Sequence, residues 1–163
     1  MNLTSHFSLE EMTASDYGTR NSLVNIPSEE AIENLRALCT QVLEPLRRIL
    51  QERPIRVTSG YRSPQINAGI GGSKSSQHMK GMAADIKVPG LLPQDVFVKL
   101  ITSNLIYDQV ILEFDTWVHV SYNRFGGNRM ERLIAHKVDG ETIYEGIWNP
   151  ENLTEKLPPA TST

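Results

Sequence analysis

Two histidines and an aspartate, separated along the chain yet chemically matched, constrain its folding most. In Ser76-Gln77-His78-Met79-Lys80-Gly81-Met82-Ala83-Ala84-Asp85, six residues stand between His78 and Asp85, and His119 follows more than thirty residues later in Trp117-Val118-His119. Asp85 lies in an apolar run with Ala84, Ile86 and Val88, where an unpaired carboxylate would be costly. His119 is flanked by Val118 and Val120. Two histidines and a carboxylate are a ligand set that zinc takes when one position stays open for water. A metal would resolve the cost of Asp85, and it requires a fold that brings two strands and a loop to one point. The pattern suggests metal-dependent hydrolysis.

The remaining composition excludes several alternatives. At 163 residues the chain fits one domain with a real core, expected over residues 1–148, with 149–163 as a disordered tail ending Pro158-Pro159-Ala160-Thr161-Ser162-Thr163. A net charge of −3 offers no basic excess for nucleic acid or an anionic membrane. No run approaches the ~18–20 apolar residues of a membrane span. The single Cys39 rules out an internal disulfide and a cysteine-rich zinc site, and it reads as a buried thiol on a helix. Met1 to His6 lacks the basic-then-apolar layout of a signal peptide, so cytoplasmic synthesis is expected.

Helical signals come first. Ser8-Leu9-Glu10-Glu11 is a capping pattern for a short helix. Asp16 to Asn25 reads as irregular. Pro27 and Ser28 open a stronger helix whose Ile32, Leu35, Leu38, Val42 and Leu43 form one apolar face. Pro45 must break it, kink it or open a second short helix. Ile55–Thr58 is a predicted strand, Pro64–Ile70 a helical turn, Ala83–Val88 a strand and Pro93–Asn104 a helix with Val96, Val98, Leu100 and Ile101 inward. Strands are then predicted at Asp108–Glu113, Trp117–Tyr122, Arg132–Val138 and Thr142–Ile147, the last two joined by the turn signal Asp139-Gly140. Helices followed by a mostly antiparallel sheet make the fold class α+β.

The Glu113–His119 segment can be read further. With Phe114-Asp115-Thr116 as its turn, Glu113 pairs with Trp117, Leu112 with Val118 and Val110 with Val120. Glu113, Trp117 and His119 then share the face opposite the apolar pairs, with Glu113 diagonal to His119 at roughly 7–8 Å. Trp117 would partly desolvate Glu113 and raise its pKa, as a general base or acid needs. Asp115, in the turn and pointing away, is the second candidate acid. Arg62, in Ser59-Gly60-Tyr61-Arg62-Ser63, is either a surface arginine or a planar fork for a substrate carboxylate or oxyanion. Gly71-Gly72-Ser73-Lys74-Ser75-Ser76 lacks the glycine before lysine of a phosphate loop and reads as a mobile rim of the site. His6 and His136 have no metal-like partners at useful spacing.

Ser76-x-His78-x-x-Gly81-x-Ala83-x-Asp85 resembles the SxHxxGxAxD signature of the M15 zinc peptidases, the D-Ala-D-Ala carboxypeptidase group that includes phage endolysins and shares its metal-site fold with the hedgehog signalling domain. Ser59-Gly60-Tyr61-Arg62 and Trp117-Val118-His119 are similar in order and spacing, and Ser5 to Thr13 resembles the start of a phage-associated branch; together the resemblance spans residues 5–136. It implies one zinc on His78, Asp85 and His119, with Arg62 and Ser76 contacting substrate or oxyanion. Trp117 joins them as a substrate-side residue. Many members carry the acid three residues before the last histidine, here Thr116; in the hedgehog-type arrangement it stands six before, which is Glu113. The implied substrate is peptidoglycan or its stem peptides, reached after phage-type release or from within a phage particle. A zinc-containing cell-wall-binding module without catalysis is the alternative.

Overall fold

Serine caps start the helices at the front of the chain. The computed structural model describes residues 1–147; the expected tail lies outside them. Ser8 Oγ accepts from Glu11 N at 3.1 Å and opens α1, Leu9–Thr13. Ser15 Oγ accepts from Gly18 N at 3.0 Å and opens α2, Asp16–Arg20. This corrects the expectation that Asp16 to Asn25 is wholly irregular: a side-chain cap replaces the apolar periodicity that α2 lacks. Ser28 caps α3, Glu29–Leu38, through Ala31 N at 3.2 Å.

Pro45 neither breaks this helix nor ends it. Residues Cys39–Leu43 wind as a π turn, with Glu44 N donating to Cys39 O, and lead directly into α4, Glu44–Ile49. Proline has no N–H to give and clashes with the preceding turn of an α-helix. Widening that turn by one residue relieves both problems. The apolar stripe survives: Leu35, Leu38, Val42, Leu43 and Leu46 are all fully buried.

β1 (Arg56–Ser59) leads to α5 (Pro64–Gly69), a short 3-10 turn (Gln77–Lys80) and β2 (Ala83–Lys87). α6 (Pro93–Ile101) follows, then β3 (Gln109–Glu113), β4 (Trp117–Ser121), β5 (Glu131–Val138) and β6 (Glu141–Gly146). α6 stops three residues short of the expected Asn104, and Phe97 is buried where Val98 is only partly so.

The strands form one six-stranded sheet in the order β1-β2-β4-β3-β5-β6. Every pair is antiparallel except β3 with β5. The α+β class and the mostly antiparallel sheet stand as expected. Across β3 and β4, Glu113 pairs with Trp117, Leu112 with Val118 and Val110 with Val120. The strand period of two sends Ala84, Ile86, Val110, Leu112, Val118, Val120 and Ile134 into one core with α3, α4 and α6. Each fully buried leucine or isoleucine there contributes about 1.5–3 kcal/mol. The other face of the sheet is left for the polar residues. No helix among the described residues is long and apolar enough to cross a membrane.

Candidate metal centre

Strand register places two of the three candidate ligands. Asp85 on β2 lies opposite His119 on β4, and both project away from the core. His78 arrives from the 3-10 turn, whose first N–H groups are capped by Ser76: its Oγ accepts from His78 N at 3.3 Å. Two glycines make that approach possible. Gly81 ends the turn at φ +70°, and a Cβ there would stand 2.4 Å from the Ala31 carbonyl oxygen on α3. A Cβ on Gly60 would stand 2.2 Å from the Met12 carbonyl oxygen, so only glycine lets this strand end pack on α1. Gly60 in turn presents its own carbonyl to His78 Nδ1 at 2.7 Å.

A carbonyl can only accept, so His78 Nδ1 carries the proton and Nε2 keeps a lone pair. That Nε2 lies 3.4 Å from Asp85 Oδ1, and His119 Nδ1 lies 3.1 Å from the same oxygen. All three ligand atoms fall within 4.8 Å of one another, and all three residues are buried. Donors about 2.0–2.1 Å from a tetrahedral zinc stand roughly 3.3 Å apart. The donor set therefore fits zinc in chemistry and in spacing. The Gly60 carbonyl behind His78 is the outer partner that fixes the tautomer and aims the ring.

The electrostatics suit the same end. Burial pushes the His78 imidazole below its ordinary range, so it is neutral and able to ligate. Burial pushes the Asp85 carboxyl up, but the two imidazoles facing it, His78 and His119, outweigh this and hold it well below the usual carboxylate range. The second oxygen of Asp85 faces Arg62 Nη2 at 3.7 Å.

These residues sit in a cleft of about 900 Å³. Glu113 is on its wall, with Oε1 4.0 Å from His119 Nδ1. Burial raises the Glu113 carboxyl above its ordinary value, and the Asp85 charge adds to this against the opposing pull of His119 and Arg62. Arg62, Ser76 and Trp117 also line the cleft. Arg62 Nε and Trp117 Nε1 are buried without a hydrogen-bond partner. Asp115 is not brought in: it is exposed in the turn, in a left-handed conformation at φ +53°. Gly71, Gly72, Ser73, Ser75 and Ser76 form part of the rim. His6 and His136 pair elsewhere, with Glu44 at 2.8 Å and Glu145 at 3.6 Å.

Several residues of the site carried no signal in the sequence. Buried Asn67 accepts from Arg62 Nη1 at 3.2 Å and donates to Ser73 O at 2.9 Å, tying the arginine to the rim loop. Asn25 donates to Tyr61 O at 3.0 Å and accepts from Ser63 N at 2.7 Å, which holds the chain on both sides of Arg62. Lys137 and Tyr144, from the last hairpin, complete the far wall. An isolated asparagine is as common in a loop as in a site, and only the fold distinguishes them.

Comparison with known proteins agrees with this geometry. A zinc D-Ala-D-Ala carboxypeptidase of Streptomyces albus G is 41% identical over 44 residues, a stretch covering 27% of this chain and only 17% of that relative. A family model described as Peptidase M15 matches residues 5–121, more than half of the chain and all three candidate ligands. The name of that relative carries zinc, the metal that the donor set of this chain fits. By the extent of the family match, the chain belongs to the M15 peptidases.

Proposed function

We propose that the protein is a zinc-dependent peptidase that hydrolyses peptide bonds of peptidoglycan stems near D-amino acids. The observation that carries this is the placement of Glu113 beside the His78-Asp85-His119 cluster, on the same face of one sheet. His78, Asp85 and His119 would hold the metal. Bound zinc lowers the pKa of a water and polarises a carbonyl.

The protein's own groups do the rest. Glu113, whose carboxyl burial raises above its ordinary value, accepts the proton of the attacking water and returns it to the leaving amine. Arg62 offers a planar, permanently charged fork to a substrate carboxylate or to the developing oxyanion. Its hold on Asn67 keeps that fork oriented before substrate arrives. Trp117 and Phe114, in edge-to-face contact at 5.7 Å, shield Glu113 from bulk water.

A carboxylate-reading Arg62 supports carboxypeptidase-like cleavage of a terminal D-Ala. A cleft of about 900 Å³ also accommodates a longer peptide, as endolysin-like endopeptidase action needs. Its substrate lies in the cell wall, and the phage-type opening Ser5 to Thr13 supports access by phage-type release or from a phage particle. Incubation with D-Ala-terminated stem peptides and with cross-linked muropeptides, read by mass spectrometry, separates these modes. Loss of one D-Ala identifies the first and internal cleavage the second. Zinc at one equivalent with neither product would leave a cell-wall-binding module. Activity retained in Glu113→Gln but lost in Asp115→Asn would overturn the choice of base.

A further inference from the structure

The cleft holds more positive charge than the metal centre uses. Its cations are Arg62, Arg129 and Lys137. Arg62 faces Asp85, and Arg129 is committed to Asp108 at 2.8 Å and Glu131 at 3.9 Å. Lys137 is the one of the three with no carboxylate partner among the described residues. Its ammonium donates to Thr142 Oγ1 at 2.8 Å and lies 5.3 Å from the centre of the Phe114 ring. Three donors and one hydroxyl partner leave N–H groups to offer.

Register puts this lysine on the catalytic face. Glu113 pairs with Ala135, and Ala135 with Tyr144. Side chains two apart on a strand share a face, so Lys137 stands on the Glu113 side, about 7 Å along β5 from Ala135. Tyr144 is 55% exposed beside it, with a hydroxyl free to turn toward a ligand. Burial and the Glu113 charge push its phenol up, so it remains a donor across the working pH range. Ile111 and Ala135 supply an apolar floor between this wall and the metal ligands. The wall comes wholly from β5 and β6, beyond the residues 5–121 that match the family.

We infer that Lys137 and Tyr144 form a subsite for a carboxylate of the peptide substrate, on the opposite side of the metal centre from Arg62. The inference rests on the peptidase reading for its substrate class, an acidic stem peptide. The subsite selects stems whose D-glutamyl residue keeps its free α-carboxylate over stems in which that group is amidated. An exposed ion pair of this kind is worth a few-fold in affinity, about three- to fivefold.

Calorimetric titration tests it with these two synthetic peptides, acid and amide, against zinc-loaded Glu113→Gln protein, in which the peptide survives. The acid form is expected to bind about three- to fivefold more tightly than the amide. Adding Lys137→Met should erase that difference by weakening only the acid form, Lys137→Arg should restore it, and Tyr144→Phe should reduce it. Equal weakening of both peptides by Lys137→Met, an unchanged preference, or no binding of either peptide overturns the subsite. Cleavage by the unsubstituted protein is scored separately. Lys137-dependent binding without any cleavage retains the subsite and sinks the peptidase reading. Cleavage of both peptides alike, with no effect of Lys137→Met, does the reverse.

Discussion

Glu113 is an acid whose proposed task follows from its surroundings. Its carboxyl is raised by burial and by Asp85, and a general base must be ionised to work. Activity is therefore expected to fall as pH drops through a value above the ordinary 4.5 of glutamate. Glu113→Gln should remove that acidic limb and cost about 10²–10⁴ in kcat, with zinc content unchanged. A pH profile of kcat/KM with metal analysis on the same samples checks both. Cys39 supplies a second test at this scale. Burial, then the nearby Glu11 and Glu44 charges, push its thiol up to about 12. It should be inert to thiol reagents at pH 8 until the protein unfolds, and labelling through a denaturant titration shows this. Glu113 was legible before the fold because hairpin register alone puts it on the face of His119. Asn67 was not, since its partners, Arg62 and the Ser73 carbonyl, meet only after α5 and the rim loop fold back.

Gly81 joins the end of the 3-10 turn that carries His78 to α3, with φ +70° and no room for a side chain. Gly81→Ala adds about 1–2 kcal/mol of left-handed backbone cost, and its methyl also collides with a backbone carbonyl. Lower melting temperature and weaker zinc affinity are expected together, because the shift is transmitted to His78. Asp108 ties the segment before β5 to the sheet: it accepts from Arg129 N at 3.1 Å, from the Arg129 guanidinium and from Gln77 Nε2 at 2.8 Å. Burial pushes its carboxyl up, but the Arg129 and Gln77 hydrogen bonds outweigh this and lower it. A group lowered in the folded state stabilises above its unfolded pKa and loses that contribution as pH falls through the folded value. Asp108→Asn should therefore cost about 1.5–3 kcal/mol at pH 7, and the difference should shrink below pH ~4. Denaturant melts at both pH values measure it.

How far the elements could be read depended on what sets them. The strands and both hairpins followed from period-two patterns and turn residues such as Asp139-Gly140. α2 did not, because five residues around Gly18 have no apolar period and Ser15 is its one local signal. The π turn was hidden for another reason. Pro45 announces a conflict with the helix, and sequence does not say whether the chain resolves it by breaking or by widening a turn. The parallel pairing of β3 with β5 was equally silent, since a strand's own pattern specifies which face is buried and not which neighbour it takes.

The whole molecule separates stability from chemistry across one sheet. Helices and the apolar face build the core, and the opposite face carries the three candidate metal ligands, Glu113 and the cleft. The core does not include His78, Asp85 or His119, so the zinc-stripped protein should stay folded, unlike small domains that fold only on metal. Zinc held by the three candidate ligands would still link β2, β4 and the 3-10 turn. At 100-fold excess over its Kd it should add about 2.7 kcal/mol of stability. A calorimetric melt should show that gain, and His78→Ala should abolish it.

As a zinc peptidase, the chain should cleave only with its metal bound. Titrating zinc into stripped protein while following stem-peptide hydrolysis measures this. Cleavage should rise in proportion to zinc, level off at one equivalent per chain, vanish with a chelator and return when zinc is restored. Zinc bound at one equivalent with no stem peptide cleaved, or cleavage by the stripped protein, would contradict it.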